Sequence, residues 1–475
     1  MPFSATKFDP SYATATEVAQ AIRQRVISSR ELTALVFSRI RKFNPKVNAF
    51  VTLLEESANV RARQADEAQA AGTVWGPLHG VPITVKDYLD VSGVRTTFGV
   101  KAFENNIAAA DAITVERLKR AGAVIIAKTN MPPLALDWQS FNDIAGTTNN
   151  PWDLSRTCGG SSGGGAAAVA AGMSFLELGG DTGGSIRCPS SFCGDYGHRA
   201  SINLIPGRAN NISTYGPLAR SAQDLLLALG ILAGPDATES VAYRWALPAA
   251  RGTRLRDYRI GFVIDDPFCP VTPEVAAVLR SSIEALRKSG ATLTEGWPAG
   301  VVPANTFGDY FFLISAAVAA FLLPGLEQSL RSSSSIWNKR MVAAMDASYS
   351  EWCRHNSARL ASRGVWQDYF KTHDAFLMPV TFVPAFRHDH VGNQHDRTLH
   401  TSLGDRPYAD LHHWASISSL TGLPATAVPL GITRDGLPVG AQILGPFLED
   451  ATPIHIAGLL GDHVGGFQIP PGYAE

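Results

Sequence analysis

The chain has 475 residues, with 41 Lys and Arg against 42 Asp and Glu, for a formal charge of -1. That balance argues against the basic face a nucleic-acid partner needs. Hydrophobic residues are 45% and charged ones 17%, which excludes a disordered chain and supplies a large core.

The stretch from Met1 to Tyr12 lacks a basic start followed by an apolar run, so no signal peptide is expected. Residues 13 to 43 predict two helices. Thr14 with Glu17, and Ser28 with Glu31, have capping-box spacing. Val18, Ile22 and Val26, then Leu32, Leu35, Val36 and Ile40, recur at helical steps, and Asn44-Pro45 is expected to stop the second helix. A third helix is expected over 54 to 70.

From residue 80 the rhythm changes. Val81, Ile83 and Val85 alternate as a strand does, 111 to 120 predicts a helix, and Ala123 to Ala127 a buried strand. Ala166 to Ala171 predicts a short helix and Ser174 to Leu178 another strand. Alternating helices and strands imply an α/β fold: a mixed, mostly parallel sheet covered by helices on both faces. Arg259 to Ile264 continues it, and Thr272-Pro273 opens a helix to Lys288. Residues 300 to 370 are expected to be helical and irregular, with Ser332 to Ser335 as a loop. The apolar run Tyr310 to Leu323 is short of the ~20 residues a membrane helix needs. Short strands return at Ala425 to Val428 and Val439 to Leu444.

Five cysteines, Cys158, Cys188, Cys193, Cys269 and Cys353, are odd in number and form no CxxC pair. A disulfide framework is not expected, and a reducing, cytoplasmic setting is. Cys188 and Cys193 are read as packing residues. His388, His390, His395, His400, His412 and His413 crowd the C-terminal third without metal-ligand spacing, so a solvated or pocket-edge loop is expected and no metal.

The chemistry concentrates between Cys158 and Pro189. Gly159-Gly160-Ser161-Ser162-Gly163-Gly164-Gly165 opens this stretch, and Gly179-Gly180-Asp181-Thr182-Gly183-Gly184-Ser185-Ile186-Arg187 closes it. Clustered glycines let backbone N–H groups converge on an anion, either a phosphate or the oxyanion of acyl transfer. No Lys follows either loop as a phosphate loop requires. A serine needs a base to become a nucleophile, and neither loop holds a His, although His198 follows. A neutral lysine is the other partner. Lys86 and Lys128 both end predicted strands, where α/β sites gather, and spacing does not choose between them.

The two loops resemble the amidase signature family. The likeness extends to Gly80-Val81-Pro82-Ile83-Thr84-Val85-Lys86-Asp87, Ala127-Lys128-Thr129-Asn130-Met131, Asn150-Pro151-Trp152, Gly216-Pro217-Leu218-Ala219-Arg220-Ser221 and Gly436-Leu437-Pro438-Val439-Gly440. It spans about residues 15 to 465. It implies one catalytic domain over 1–475: N-terminal helices at 1–75, the signature core at 76–235, a variable pocket-lining region at 236–370, and 371–475 completing the sheet.

By position, the resemblance makes Ser185 the nucleophile, Ser161 a bridging serine after a cis peptide bond, and Lys86 the base. It makes the backbone N–H groups of Thr182, Gly183, Gly184 and Ser185 the oxyanion hole. Asp181 and Arg187 are read as a structural pair, Ser162 as a helix cap or a helper of Lys86, and Lys128 as a structural partner. Leu136, Trp138 and Gly159 are substrate-binding candidates, and the helix from Tyr310 a further wall.

The implied function is hydrolysis of carboxylic amides through an acyl-enzyme, with aryl or alkyl acyl groups first and no cofactor. Carbamate (urethane) or ester hydrolysis stays open, as do a non-catalytic binding protein and a glutaminase-type subunit of an amidotransferase. The expected partner is a small amide substrate, with no nucleic acid, no stable membrane insertion, and a homodimer as the assembly left open. The chain departs from the family at Gly197-His198-Arg199-Ala200-Ser201, where a Pro is lost, and 202 to 215 reads as a shortened loop that opens the entrance.

Overall fold

A computed structural model describes residues 9–207 and 210–474. Residues 1–8 of the region read for a signal peptide, and 208–209 of the shortened loop, lie outside the described residues. Eleven strands form one sheet. In chain order they are β1 (Phe50–Leu53), β2 (Pro82–Lys86), β3 (Val124–Thr129), β4 (Leu176–Asp181), β5 (Tyr196–Arg199), β6 (Thr214–Ala219), β7 (Arg259–Phe262), β8 (Thr292–Glu295), β9 (Ala375–Pro379), β10 (Ala425–Ile432) and β11 (Pro438–Leu444). Their spatial order is β1-β3-β2-β4-β6-β5-β10-β11-β9-β7-β8.

The α/β class and the mixed sheet are as expected. Parallel pairing occupies two flanks, β3–β2–β4 and β9–β7–β8, while the strands between them pair antiparallel. Connection length explains part of this. Only residues 433–437 join β10 to β11, enough for a hairpin and too few for a parallel crossover. Every residue of β2, β3, β4, β5, β6, β9 and β11 is buried, so both faces of the sheet are covered there.

The N-terminal helices follow from their caps. α1 (Ala15–Arg23) and α2 (Ser29–Val47) both begin with complete capping boxes, at Thr14/Glu17 and Ser28/Glu31. α1 ends before Val26 is reached. α2 does not stop at Asn44-Pro45. Pro45 is accommodated in the last turn, and the helix ends where Asn48 turns left-handed at φ 56.

α3 (Glu55–Ala70) and α4 (Ile113–Arg120) lead to α5 (Gly163–Ala170), α6 (Arg187–Cys193) and α7 (Ala222–Leu232). α8 (Pro273–Lys288) starts on its proline as expected. The helical region comprises α9 (Pro303–Ala319), α10 (Pro324–Ser332), α11 (Ile336–Met345) and α12 (Tyr349–Tyr369), with 333–335 as its serine loop. α13 (His412–Thr421) and α14 (Ala451–Val464) complete the chain. No helix among the described residues is long and apolar enough to cross a membrane.

Two features position the site. β2 and β4 run parallel with Thr84 beside Glu177 and Val85 beside Leu178, so Lys86 and Asp181 emerge at the same carboxyl edge. α9 packs against α11, α12 and α13, bringing the variable helical region over that edge.

Candidate active site

Lys86 ends β2 and is fully buried. Its Nζ lies 2.5 Å from Ser161 Oγ and 3.0 Å from Ser162 Oγ. Both serines are buried just ahead of α5, and the Gly160–Ser161 peptide is cis. Ser162 stands at the N-cap of α5 but makes no capping bond. Its hydroxyl donates to the Gly180 carbonyl at 3.3 Å instead. The glycines of α5 serve close packing. A Cβ on Gly164 would come within 2.5 Å of the Asn130 backbone nitrogen.

Lys128 is the other strand-end lysine. It pairs with Asp87 at 3.1 Å and donates to Thr96 Oγ1 at 2.9 Å, away from both serine loops. His198 is also elsewhere, bridging Thr426 Oγ1 and Asp450 Oδ1 in the core. The geometry therefore joins Lys86, and neither alternative, to the serines.

Ser185 follows β4 on the second loop and lines the same cavity as Lys86 and Ser161. Asp181 organises this loop. Its carboxylate accepts from the N–H of Gly184 at 2.8 Å and of Ile186 at 3.1 Å, and pairs with Arg187 at 2.9 Å and Arg199 at 3.4 Å. Burial opposes the charge, but Arg187, with its hydrogen bonds, and Arg199 hold the carboxyl well below the usual carboxylate range. Arg187 also donates to Ser418 Oγ, Ser419 Oγ and Gln442 Oε1, tying the loop to α13 and β11. The expected Asp181–Arg187 pair is thus present, with Arg199 as a third member.

One expectation about the oxyanion hole changes. The Gly184 N–H already serves Asp181, so it is not available to a substrate. The N–H groups of Gly183 and Ser185 make no hydrogen bond among the described residues. Gly184 itself has φ +106, a conformation that favours glycine, and a Cβ there would meet the Trp138 ring at 2.7 Å.

The cavity measures about 430 Å³. Its wall is mostly apolar: Phe98, Met131, Leu136 and Trp138 on one side, Phe311 and Ile314 of α9 on the other. Leu136, Trp138 and the Tyr310 helix thus stand where the sequence placed them. Gly159 does not: it lies outside the lining, where a Cβ would come within 2.6 Å of Pro189 Cα.

The histidine cluster is not a solvated loop as a whole. His395 and His412 are buried in the cavity wall, and His413 is buried beside Phe268 and Phe307. His400 is exposed. Burial lowers His390, His395 and His413 to about 4 and His412 well below its ordinary value. No group of three or more His, Cys, Asp or Glu able to hold a metal occurs among the described residues. Cys188 and Cys193 are buried and free.

Sequence reasoning missed Tyr88 and Phe103 in the cavity wall, since lone aromatics in loops carry no periodic signal. It also missed Glu177, fully buried on β4, whose carboxyl burial raises to about 7.

A family model described as Amidase matches residues 31–453. The glutamyl-tRNA(Gln) amidotransferase A chain of Moorella thermoacetica is 32% identical over 480 residues, covering 94% of this chain and 95% of the relative. The protein of that name from Coxiella burnetii (strain Dugway 5J108-111) is 33% identical over 479 residues, covering 93% and 95%. Among solved structures, a bacterial aryl acylamidase of the amidase signature enzymes superposes with TM-score 0.84 at 23% identity, over 97% of this chain and 99% of that one. A structure described as an amidase gives TM-score 0.80 at 28% identity, over 95% and 100%. These matches define an amide-cleaving enzyme on an α/β scaffold. The chain belongs to the amidase signature family, as its two glycine loops had implied.

Proposed function

We propose that the protein hydrolyses small carboxylic amides with aryl or alkyl acyl groups through an acyl-enzyme on Ser185. One observation carries the reading: Lys86 Nζ, 2.5 Å from Ser161 Oγ, is buried against the cavity that Ser185 lines. Ser185 Oγ attacks the amide carbonyl while its proton passes through the Ser161 hydroxyl to the neutral Lys86 amine. The N–H groups of Gly183 and Ser185 hold the oxyanion, Thr182 being the remaining candidate donor, and each donor is worth roughly 2.7–4 kcal/mol. The C–N bond then breaks. Lys86 returns the proton through Ser161 to the departing amine. Water repeats the attack on the ester and releases the carboxylic acid.

The apolar wall supports aryl and alkyl groups over charged ones. Carbamates and esters undergo the same attack and fit the same wall. The reading includes a cytoplasmic enzyme acting on a small molecule, with a homodimer as the assembly left open. Membership of a glutaminase-type amidotransferase is the second reading, favoured by the names of the curated relatives.

Intact-protein mass spectrometry tests both, using aryl amides, alkyl amides, carbamates and glutamine with Ser185→Ala as control. An acyl adduct from an aryl or alkyl amide, present only in the unmutated protein, is the expected result. An adduct from glutamine alone would favour the second reading. No adduct and no turnover would remove the acyl-enzyme reading.

A further inference from the structure

One polar side chain in the apolar wall is not spoken for. His412 opens α13 and lines the cavity. Its Nδ1 lies 3.0 Å from the hydroxyl of Tyr310 on α9, and Nε2 makes no hydrogen bond among the described residues. Nε2 is also not among the enclosed, unpartnered polar atoms, so it reaches the cavity surface.

The phenol decides which nitrogen carries the proton. Tyr310 is fully buried, and His412 Nδ1 is the one polar partner its hydroxyl has among the described residues. If Nδ1 carried the proton, the phenol proton would have no acceptor in a dry site. The Tyr310 hydroxyl therefore donates to Nδ1, and the ring's own proton sits on Nε2, facing the cavity. The ring also stays neutral: burial is the main cause, followed by His395 and His413. Its position at the positive end of α13 acts in the same direction.

The location gives this donor a role. His412 Nδ1 stands 3.5 Å from where a Cβ on Gly183 would lie, and the ring meets Trp138 edge-on at 5.2 Å. Under the hydrolysis reading, the leaving nitrogen must face Lys86 and Ser161, which return its proton. The acyl part then faces Trp138 and His412. We propose that His412 Nε2–H, with its tautomer set by Tyr310, selects substrates whose acyl part carries a hydrogen-bond acceptor near the scissile carbonyl, such as an alkoxy oxygen. This rests on the proposed amide hydrolysis. His412 is a specificity residue, and Tyr310 positions it.

An isosteric pair of substrates tests the idea: methoxyacetanilide, with an ether oxygen, against butyranilide, with a methylene in its place. The readout is the ratio of their kcat/KM values within each protein, which does not depend on the fraction folded. His412→Phe is expected to lower the ratio about fivefold, the worth of one hydrogen bond. His412→Gln, which keeps a donor, should recover at least half of that loss. Tyr310→Phe should lower the ratio by a smaller factor, since the proton can then move to Nδ1. It supplies the readout where His412→Phe has no measurable turnover. A ratio within twofold of the unmutated value in His412→Phe, or in Tyr310→Phe where that is the readout, would overturn the inference and leave hydrolysis standing. If the unmutated protein turns over neither anilide, the hydrolysis reading fails for this class and the inference falls with it.

Discussion

The backbone N–H of Ser162 donates to the carbonyl oxygen of Ser185 across 3.0 Å. This bond joins the two glycine loops at the point where their serines meet the cavity. It fixes the proposed nucleophile loop relative to the serines that contact Lys86, without using any of the reacting side chains.

Replacing the proposed chemistry should therefore spare the scaffold. Ser185→Ala and Lys86→Ala are each expected to lower acylation by at least about a thousandfold. Circular dichroism and the thermal midpoint should stay close to those of the unmutated protein for Ser185→Ala. An unchanged acylation rate in Lys86→Ala would remove it as the base.

Gly183 leaves no room for a side chain, because a Cβ there runs into the Tyr310 hydroxyl. Gly183→Ala should displace an oxyanion donor and cost about a hundredfold or more in kcat/KM. Adding Tyr310→Phe removes the obstructing oxygen and should recover about tenfold. A double variant no better than Gly183→Ala would mean that the loop is disturbed in another way.

Asp181 and Arg187 are both fully buried, so removing one strands the other. Arg187→Met is expected to cost roughly 3–5 kcal/mol. The loss should appear as a lower urea midpoint. Arg187 is not proposed to touch substrate, so the folded variant's acyl adduct should still form on Ser185.

Glu177 predicts a pH effect on stability. Its carboxyl moves from 4.5 to about 7, chiefly through burial. A raised folded value means the native state holds the proton longer than the unfolded chain does. Stability then falls as pH rises from about 4.5 to 7, by about 3 kcal/mol in all. Glu177→Gln should flatten this slope, gaining on the unmutated protein at pH 8 and not at pH 5. Thermal midpoints at the two pH values provide the check, and an equal offset at both would exclude titration of Glu177 as the cause.

Much of this architecture was legible in the sequence because its signals are local. The capping boxes at Thr14 and Ser28 announce their helices, and Pro273 starts α8. Pro45 misled because its cost is small in a last turn, where Asn48 rather than proline sets the end. Within the site, Lys86 and Ser161 were readable from motifs. Asp181's hold on the Gly184 N–H was not, since a carboxylate at the mouth of a glycine loop can reach several backbone groups. The histidines illustrate a different limit. His395 and His412 face the cavity from segments more than two hundred residues beyond the glycine loops, and only tertiary packing gives them that place.

The strand order carries a consequence for how the protein is made. Strands from residues 50 to 219 fill one side of the sheet and those from 259 to 444 the other, and they meet where Tyr196–Arg199 pairs with Ala425 to Ala427. A nascent chain emerging from the ribosome can pair Lys86's strand with Asp181's long before the seam partner exists. During that interval β5 is an open edge, and Arg187 lacks Ser418, Ser419 and Gln442. Chains arrested between residues 232 and 425 should therefore be the aggregation-prone species, and completion of β10 and β11 the step that seals the enzyme.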